Sequence, residues 1–229
     1  MTVSGFLALV RSPRDGVSAV LARGRPSVAL AGVLVATALA AASSARFAGE
    51  VRVQDVVFGP GRSPLVGALI DTLGIELTAA VVYLLERSFG LLVLASAFTP
   101  LFIWVLGATA VHAAARLRGS RARFGPYLTL FGYATTLSRI PAEGAALLLG
   151  GAGALGAGAV QLVGLAALAW LAVVAWHGVV LHYGVGGERA ATIVVLALLL
   201  FYLVPLALIV LAVAAVVTAA VWLGIFSGP

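Results

Sequence analysis

Long apolar runs separated by short polar links set the pattern of this chain. The runs are rich in Ala, Leu and Val and lack alternation with a period of two, which selects helices over strands. The first, 26–45, is about the length a bilayer core requires of a helix. Further runs cover 91–116, with Pro100 inside, 126–149, interrupted at Ser138-Arg139-Ile140-Pro141, and 160–181. The last, 190–226, is too long for one upright span at about 1.5 Å per residue, so the crossing is placed at 190–212. Pro205 is expected to kink it or to tilt its far end along the interface. The pattern therefore predicts an all-α fold: a polytopic membrane helical bundle of five transmembrane helices plus amphipathic interfacial helices, forming a single membrane domain over 26–226.

Two stretches of mixed polarity flank the first span. In the head, 1–25, Val3, Phe6, Leu7, Val10, Val17, Val20 and Leu21 keep a helical stripe, and Ser12-Pro13-Arg14-Asp15 reads as a helix start. Such a head lies on anionic lipid or packs on the protein; the stripe is short and leaves both open. In 46–88, Gly59-Pro60-Gly61 is a turn signal, and a helix restarts at Ser63-Pro64 with Leu65, Leu69, Leu73, Leu77, Val81 and Leu84 on one side. This stretch is expected to be extracytoplasmic and to end in an interfacial helix. Within 26–45, Gly32, Ala36, Ala40 and Ser44 form a stripe of small residues that suits either close helix packing or an Ala-rich lipid face.

Composition strengthens the membrane reading. Hydrophobic residues make up 62% and charged residues 10%, with a mean hydropathy of +1.16, whereas soluble domains carry about 25% charged residues. The net charge of +6 is explained first by orientation in the membrane, so no nucleic-acid partner is expected. The basic residues are all Arg. Arg11, Arg14, Arg23 and Arg25 in the head and Arg116, Arg118, Arg121 and Arg123 in the loop after the second span fall on one side of a five-span chain. That side is expected to be cytoplasmic, with the N-terminus inside, the C-terminus outside and the cell membrane as the location. The four loop arginines are candidate contacts for anionic lipid headgroups. There is no Cys, which excludes a disulfide framework and thiolate chemistry.

Few residues offer site chemistry. Gly151-Ala152-Gly153-Ala154-Leu155-Gly156 matches G-x-G-x-x-G, but it follows a membrane helix and position 176 is Trp, so a connecting turn is the better reading. Arg139 and Glu143, at i and i+4, lie about 20 Å along a helix starting at Pro126, near mid-membrane. With His112 and His177 they form a candidate intramembrane polar site; the competing reading is an internal ion pair and two interfacial-belt histidines. No nucleophile–base pair, cofactor-binding motif or metal-ligand spacing is found, so no cofactor, no metal and no enzymatic activity are expected.

The middle of the chain resembles a known family. Val111-His112-Ala113-Ala114-Ala115-Arg116-Leu117-Arg118-Gly119 through Phe124, Gly132-Tyr133 and Pro141 is similar to the Yip family (Ypt/Rab-interacting, Yip-one type) membrane domain. So are Trp176-His177-Gly178, Tyr183-Gly184-Val185 and Glu188-Arg189-Ala190, while Ser12-Pro13-Arg14 before an Ala-rich span is similar to prokaryotic-type members. The resemblance implies five spans and a cytoplasmic N-terminus. Eukaryotic relatives bind Rab-type GTPases; that role is not carried over, because their acidic Tyr-Gly-Pro motif is not in this sequence. The expected function is a non-enzymatic, multi-pass protein of the lipid bilayer that organises membrane, binds other membrane proteins or self-associates. The alternative is a small transporter, channel or lipid scramblase with a polar path at Arg139 and Glu143.

Overall fold

A computed structural model describes residues 4–50, 64–150 and 153–222. Among them there is no strand. The helices are α1 (Ser4–Arg11), α2 (Pro13–Arg23), α3 (Pro26–Glu50), α4 (Pro64–Ala97), α5 (Thr99–Phe102), a π turn (Ile103–Gly107), α6 (Ala108–Leu117), α7 (Phe124–Leu149), α8 (Gly153–Tyr183) and α9 (Gly187–Trp222).

Side-chain contacts fix the direction of each rod. Trp104 donates from Nε1 to the Leu128 carbonyl at 2.8 Å, and the His112 ring sits 5.0 Å from Phe124, so α5–α6 and α7 are antiparallel. Gly178 packs on Leu130 and Tyr127, turning α8 back along α7. Trp176 donates to the Gly187 carbonyl at 2.9 Å, which pins α9 beside α8. In contrast α3 and α7 run parallel: Gly32 lies against Thr136, Ser43 against Glu143. Ser44 pairs with Ser96 at 2.8 Å and Phe47 faces Phe89, which sets the end of α4 antiparallel to α3. The result is a bundle of alternating rods with two distinct ends. One end holds 24–25, 118–123 and 184–187; the other holds 44–50, 93–96 and 147–150.

Five helical stretches are long and apolar enough to cross a membrane: Pro26–Gly49, Gly74–Ala97, Thr99–Leu117, Leu155–Tyr183 and Gly187–Leu208. This set departs from the expected spans in two places. The run expected as one helix over 91–116 is divided: α4 ends at Ala97, and Thr99-Pro100 opens a new helix at a position where proline's missing N–H is harmless. Phe98 continues the chain forward, its N–H bonded to Ala95 and its carbonyl to Phe102, so no reversal occurs there. The interfacial helix expected to end near 88 is continuous with the apolar stretch after it, and its break lies instead at Gly74 (φ 78°, ψ 163°), a conformation open to glycine. The Gly59-Pro60-Gly61 turn signal falls outside the described residues.

The second departure is α7, which is not among the five apolar stretches and is the helix most enclosed by the others. Tyr127, Thr129, Leu130, Phe131, Tyr133, Thr135, Thr136 and Ser138 are all buried on it. A helix surrounded by helices presents little surface to lipid and can carry polar side chains; its neighbours, which face outward, cannot. The helix also runs through Pro141 without interruption, and that residue is exposed. α9 likewise continues through Pro205.

Small residues bring α7 and α3 together. Ala29, Ala36 and Ala40 are buried on α3, so the stripe of small residues faces protein. A Cβ added at Gly132 would meet the Ala29 methyl and Trp104 Nε1, each at 2.8 Å. The head closes on the same core. Leu9 and Val17 are fully buried, Gly16 packs on the Leu9 backbone, and Phe6 stacks 4.6 Å from Tyr133, while Leu7 and Val10 stay exposed. Of the two placements the sequence left open, this is the packed one. The Ser12 hydroxyl does not cap α2; it donates to Asp15 at 2.8 Å.

The α3–α7 contact has a direct test in thermal unfolding of the purified chain in detergent. Gly132→Ala is expected to destabilise by about 1–3 kcal/mol through overpacking. Gly144→Ala, on the same helix with open space around its Cβ, is expected to be neutral or stabilising by up to about 1 kcal/mol. Equal effects at the two positions would refute the close approach.

Candidate functional site

The polar side chains of α7 are satisfied mostly by their own helix. Thr129 donates to the Gly125 carbonyl, Thr136 to Gly132 and Ser138 to Thr135, the local bonding open to short hydroxyl side chains in a helix. Further along, Arg139 and Glu143 form an ion pair across one turn, their side chains 21% and 10% exposed. The second Glu143 oxygen accepts from the Ser43 hydroxyl at 2.7 Å, across 100 residues of sequence. Two buried atoms of this region, Thr135 Oγ1 and Arg139 Nε, have no partner among the described residues. The i, i+4 spacing therefore does produce the pair, and Pro141, on the exposed side, does not prevent it.

The histidines serve elsewhere. His112 Nε2 accepts from Arg116 Nε at 3.4 Å, which leaves the proton on Nδ1 to donate to the Tyr183 hydroxyl at 2.9 Å. His182 donates from Nε2 to the Arg123 carbonyl at 2.8 Å. The His177 ring lies edge-on to Trp176, 4.7 Å away. Of the four residues expected to share a polar site, the fold thus joins Arg139 to Glu143 and places His112 and His177 with other neighbours. Ser43 takes part in these networks and was not singled out by the sequence, while Tyr183 and Arg189 stood there only as parts of the family motifs; their partners, brought close by folding, give all three these contacts.

The four loop arginines lie on a structured turn. α6 ends in a Schellman motif: Ser120 N–H bonds to the Ala115 carbonyl and Gly119 N–H to Arg116, with Gly119 at φ +86°. Arg189 Nη2 donates to the Arg118 carbonyl at 3.2 Å, tying the start of α9 to the loop. With His182 holding Arg123, both sides of the loop are anchored while the Arg116, Arg118, Arg121 and Arg123 side chains stay exposed. Arg23, Arg25 and Arg189 are exposed at the same end, where Glu188 is the nearby acid in sequence. Positive potential concentrates there, strongest toward a surface of anionic charge.

The profile of the Yip1 domain matches residues 7–209. The chain belongs to the Yip1 domain family. The match takes in α2 to α8 and most of α9, with the head's contact with the bundle, so the alternating rods and the basic end are parts of the Yip1 domain itself. No curated protein and no solved structure matches the chain. With its apolar helices, this Yip1 domain is a protein of the lipid bilayer. Among the described residues no group of His, Asp and Glu is arranged to hold a metal ion.

A structural ion pair and a labile polar site respond differently to mutation. Glu143→Ala leaves the partly buried Arg139 charge without its carboxylate and is expected to destabilise the bundle by about 3 kcal/mol, the low end for a buried pair. Replacing both partners by apolar residues, as Arg139→Met with Glu143→Leu, is expected to restore most of that loss. Denaturant titration in micelles reads both; a single mutant as stable as the parent would show that the pair does not hold the bundle together.

Proposed function

We propose that this Yip1-domain protein is a non-enzymatic membrane organiser whose basic end rests on the anionic headgroups of the cytoplasmic leaflet. The observation that carries the reading is the anchored loop at 116–123. Its backbone is held by Arg189, His182 and the Gly119 turn, so its four arginines meet a membrane surface without first ordering a flexible segment. Each basic side chain near an anionic surface is worth about 1 kcal/mol. The same charges orient the protein: the N-terminus, this loop and the 184–189 link lie inside, and α9 ends outside. A transport or scrambling path through Arg139 and Glu143 is the less favoured reading, because the two charges neutralise one another and the histidines lie apart from them.

Two measurements test the proposal. In nanodiscs of mixed phosphatidylcholine and phosphatidylglycerol, the parent is expected to enrich the anionic lipid around itself. Arg116→Gln, Arg118→Gln, Arg121→Gln and Arg123→Gln combined are expected to lower that enrichment about ten-fold or more; unchanged enrichment would end the lipid-contact role. Because the chain has no Cys, Ser120→Cys reports sidedness cleanly. An impermeant thiol reagent is expected to label it only after the membrane is permeabilised, and labelling of intact cells would reverse the orientation.

A further inference from the structure

A cleft of about 480 Å³ opens between α3, α4, α7 and α8 at the end opposite the arginine loop, with Ser43 on its wall. A second cavity, of about 340 Å³, lies between the π turn, α6, α7, α8 and α9 and is of a different kind. Helix length places it. On α9 its lining runs from Val194 to Tyr202, about 10 to 22 Å beyond Gly187, and on α8 from Ala175 to Leu168, about 13 to 24 Å before Gly184. Gly184 and Gly187 belong to the basic end, and a hydrocarbon core is about 30 Å thick, so the cavity straddles the bilayer midplane.

Its floor is built from buried residues: Phe131 of α7, Leu171 and Ala175 of α8, and Ala197 of α9. Leu198 and Tyr202, 58% and 62% exposed, stand at its rim, so the cavity opens sideways to lipid. The floor ring is held from two sides. A Cβ added at Gly107 would meet Phe131 Cε1 at 2.7 Å, which puts the ring against the backbone of the π turn, and Tyr127 backs it at 6.0 Å. A π turn within a helix frequently marks a functional site. On the α9 wall Phe201 and Tyr202 meet edge to face, 5.1 Å apart. The rest of the described lining is aliphatic apart from Gly107, and Tyr202 carries its single hydrogen-bonding side chain.

We infer that this cavity binds an isoprenoid quinone. Three properties of the lining select that class. Its described residues carry no charge, and a charge at this depth is costly, so the occupant is neutral. Aromatic rings stand on the floor and on the α9 wall, and a flat ring packs on them in offset or edge-to-face contact. The Tyr202 hydroxyl lies where lipid tails offer no acceptor, and a ring carbonyl of the quinone accepts from it. The isoprenoid tail runs out over the aliphatic rim into the bilayer. A phospholipid acyl chain meets the aliphatic residues equally well but leaves the rings and the Tyr202 hydroxyl without a role. Apolar walls with very few polar groups, between the helices of a bundle, are the usual form of a small-molecule site, and the volume falls in the usual range. The site lies away from the basic end and does not depend on that end's role.

The test uses the full chain in mixed micelles holding ubiquinone-2, squalene and oleic acid in equal amounts, with retained ligand counted by native mass spectrometry. Squalene supplies the isoprenoid without the ring, and oleic acid supplies an acyl chain. The parent is expected to retain one ubiquinone-2 about ten-fold over either competitor. Ala172→Phe, which fills the cavity from an exposed lining position on α8, is expected to abolish that retention, and Leu198→Trp at the rim on α9 to do the same. Tyr202→Phe, which keeps the ring, is expected to lower ubiquinone-2 about five-fold and to leave squalene unchanged. The four-arginine loop variant is expected to retain ubiquinone-2 as the parent does, which separates this site from the basic end. Absence of retention in the parent, or retention unchanged by both Ala172→Phe and Leu198→Trp, overturns the site. Squalene or oleic acid held as well as ubiquinone-2 overturns the quinone as its ligand, and a Tyr202→Phe variant that holds ubiquinone-2 like the parent overturns the carbonyl contact.

Discussion

Polar groups on α7 lie among helices whose other faces meet lipid, and nothing outside the bundle can hydrogen-bond them. Hydroxyl, carboxylate and guanidinium groups on that helix depend on partners within the protein, and apart from Thr135 Oγ1 and Arg139 Nε most find them by bonding back along the helix or across to α3. The bonds across to α3 require close approach. Gly32 admits Thr136, Gly132 admits Ala29 and Trp104, and Ser43 reaches Glu143 because the two backbones are near enough. Larger residues at those positions would separate α3 from α7 and leave the Arg139–Glu143 pair short of its third member.

From that contact the rest of the arrangement follows. With α3 and α7 parallel, the connecting chain must return between them, and α4–α6 supplies the antiparallel rod. Trp104 locks that rod to the Leu128 carbonyl. α8 and α9 complete the enclosure, with Leu171, Val174, Val179 and Ile193 buried along their inner faces. The head then covers the remaining gap, its Leu9 and Val17 fully enclosed. Burial and apolarity are thus distributed oppositely over the helices: the enclosed one is polar, and the apolar ones are outside.

The two ends differ in chemistry as well as in direction. One is an exposed arginine surface on a hydrogen-bonded turn. The other is a partly apolar cleft over a neutralised ion pair. The chain reverses at 118–123 and 184–186 on the basic side, and a cleft opens between α3, α4, α7 and α8 on the other.

Much of this was legible in the sequence, for identifiable reasons. Apolar run length is a direct consequence of bilayer thickness, so an all-helical membrane bundle could be read from the chain alone. The Arg139–Glu143 pair was legible because i, i+4 neighbours meet on any helix, and the arginine loop because charge clustering is a local property. Other features depend on which faces meet after folding. Nothing local marks Ser43 as the third member of the ion-pair network or separates His112 from Arg139, whereas the division of the 91–116 run at Phe98 has its local mark in Pro100. Apolarity alone also misjudges α7, since a helix in the middle of a bundle is solvated by protein. The sequence by itself determined the kind of solvent this protein needs and the charge it presents. Only the tertiary structure decided which helix is shielded from that solvent, because shielding belongs to the packing of neighbours and not to any one segment.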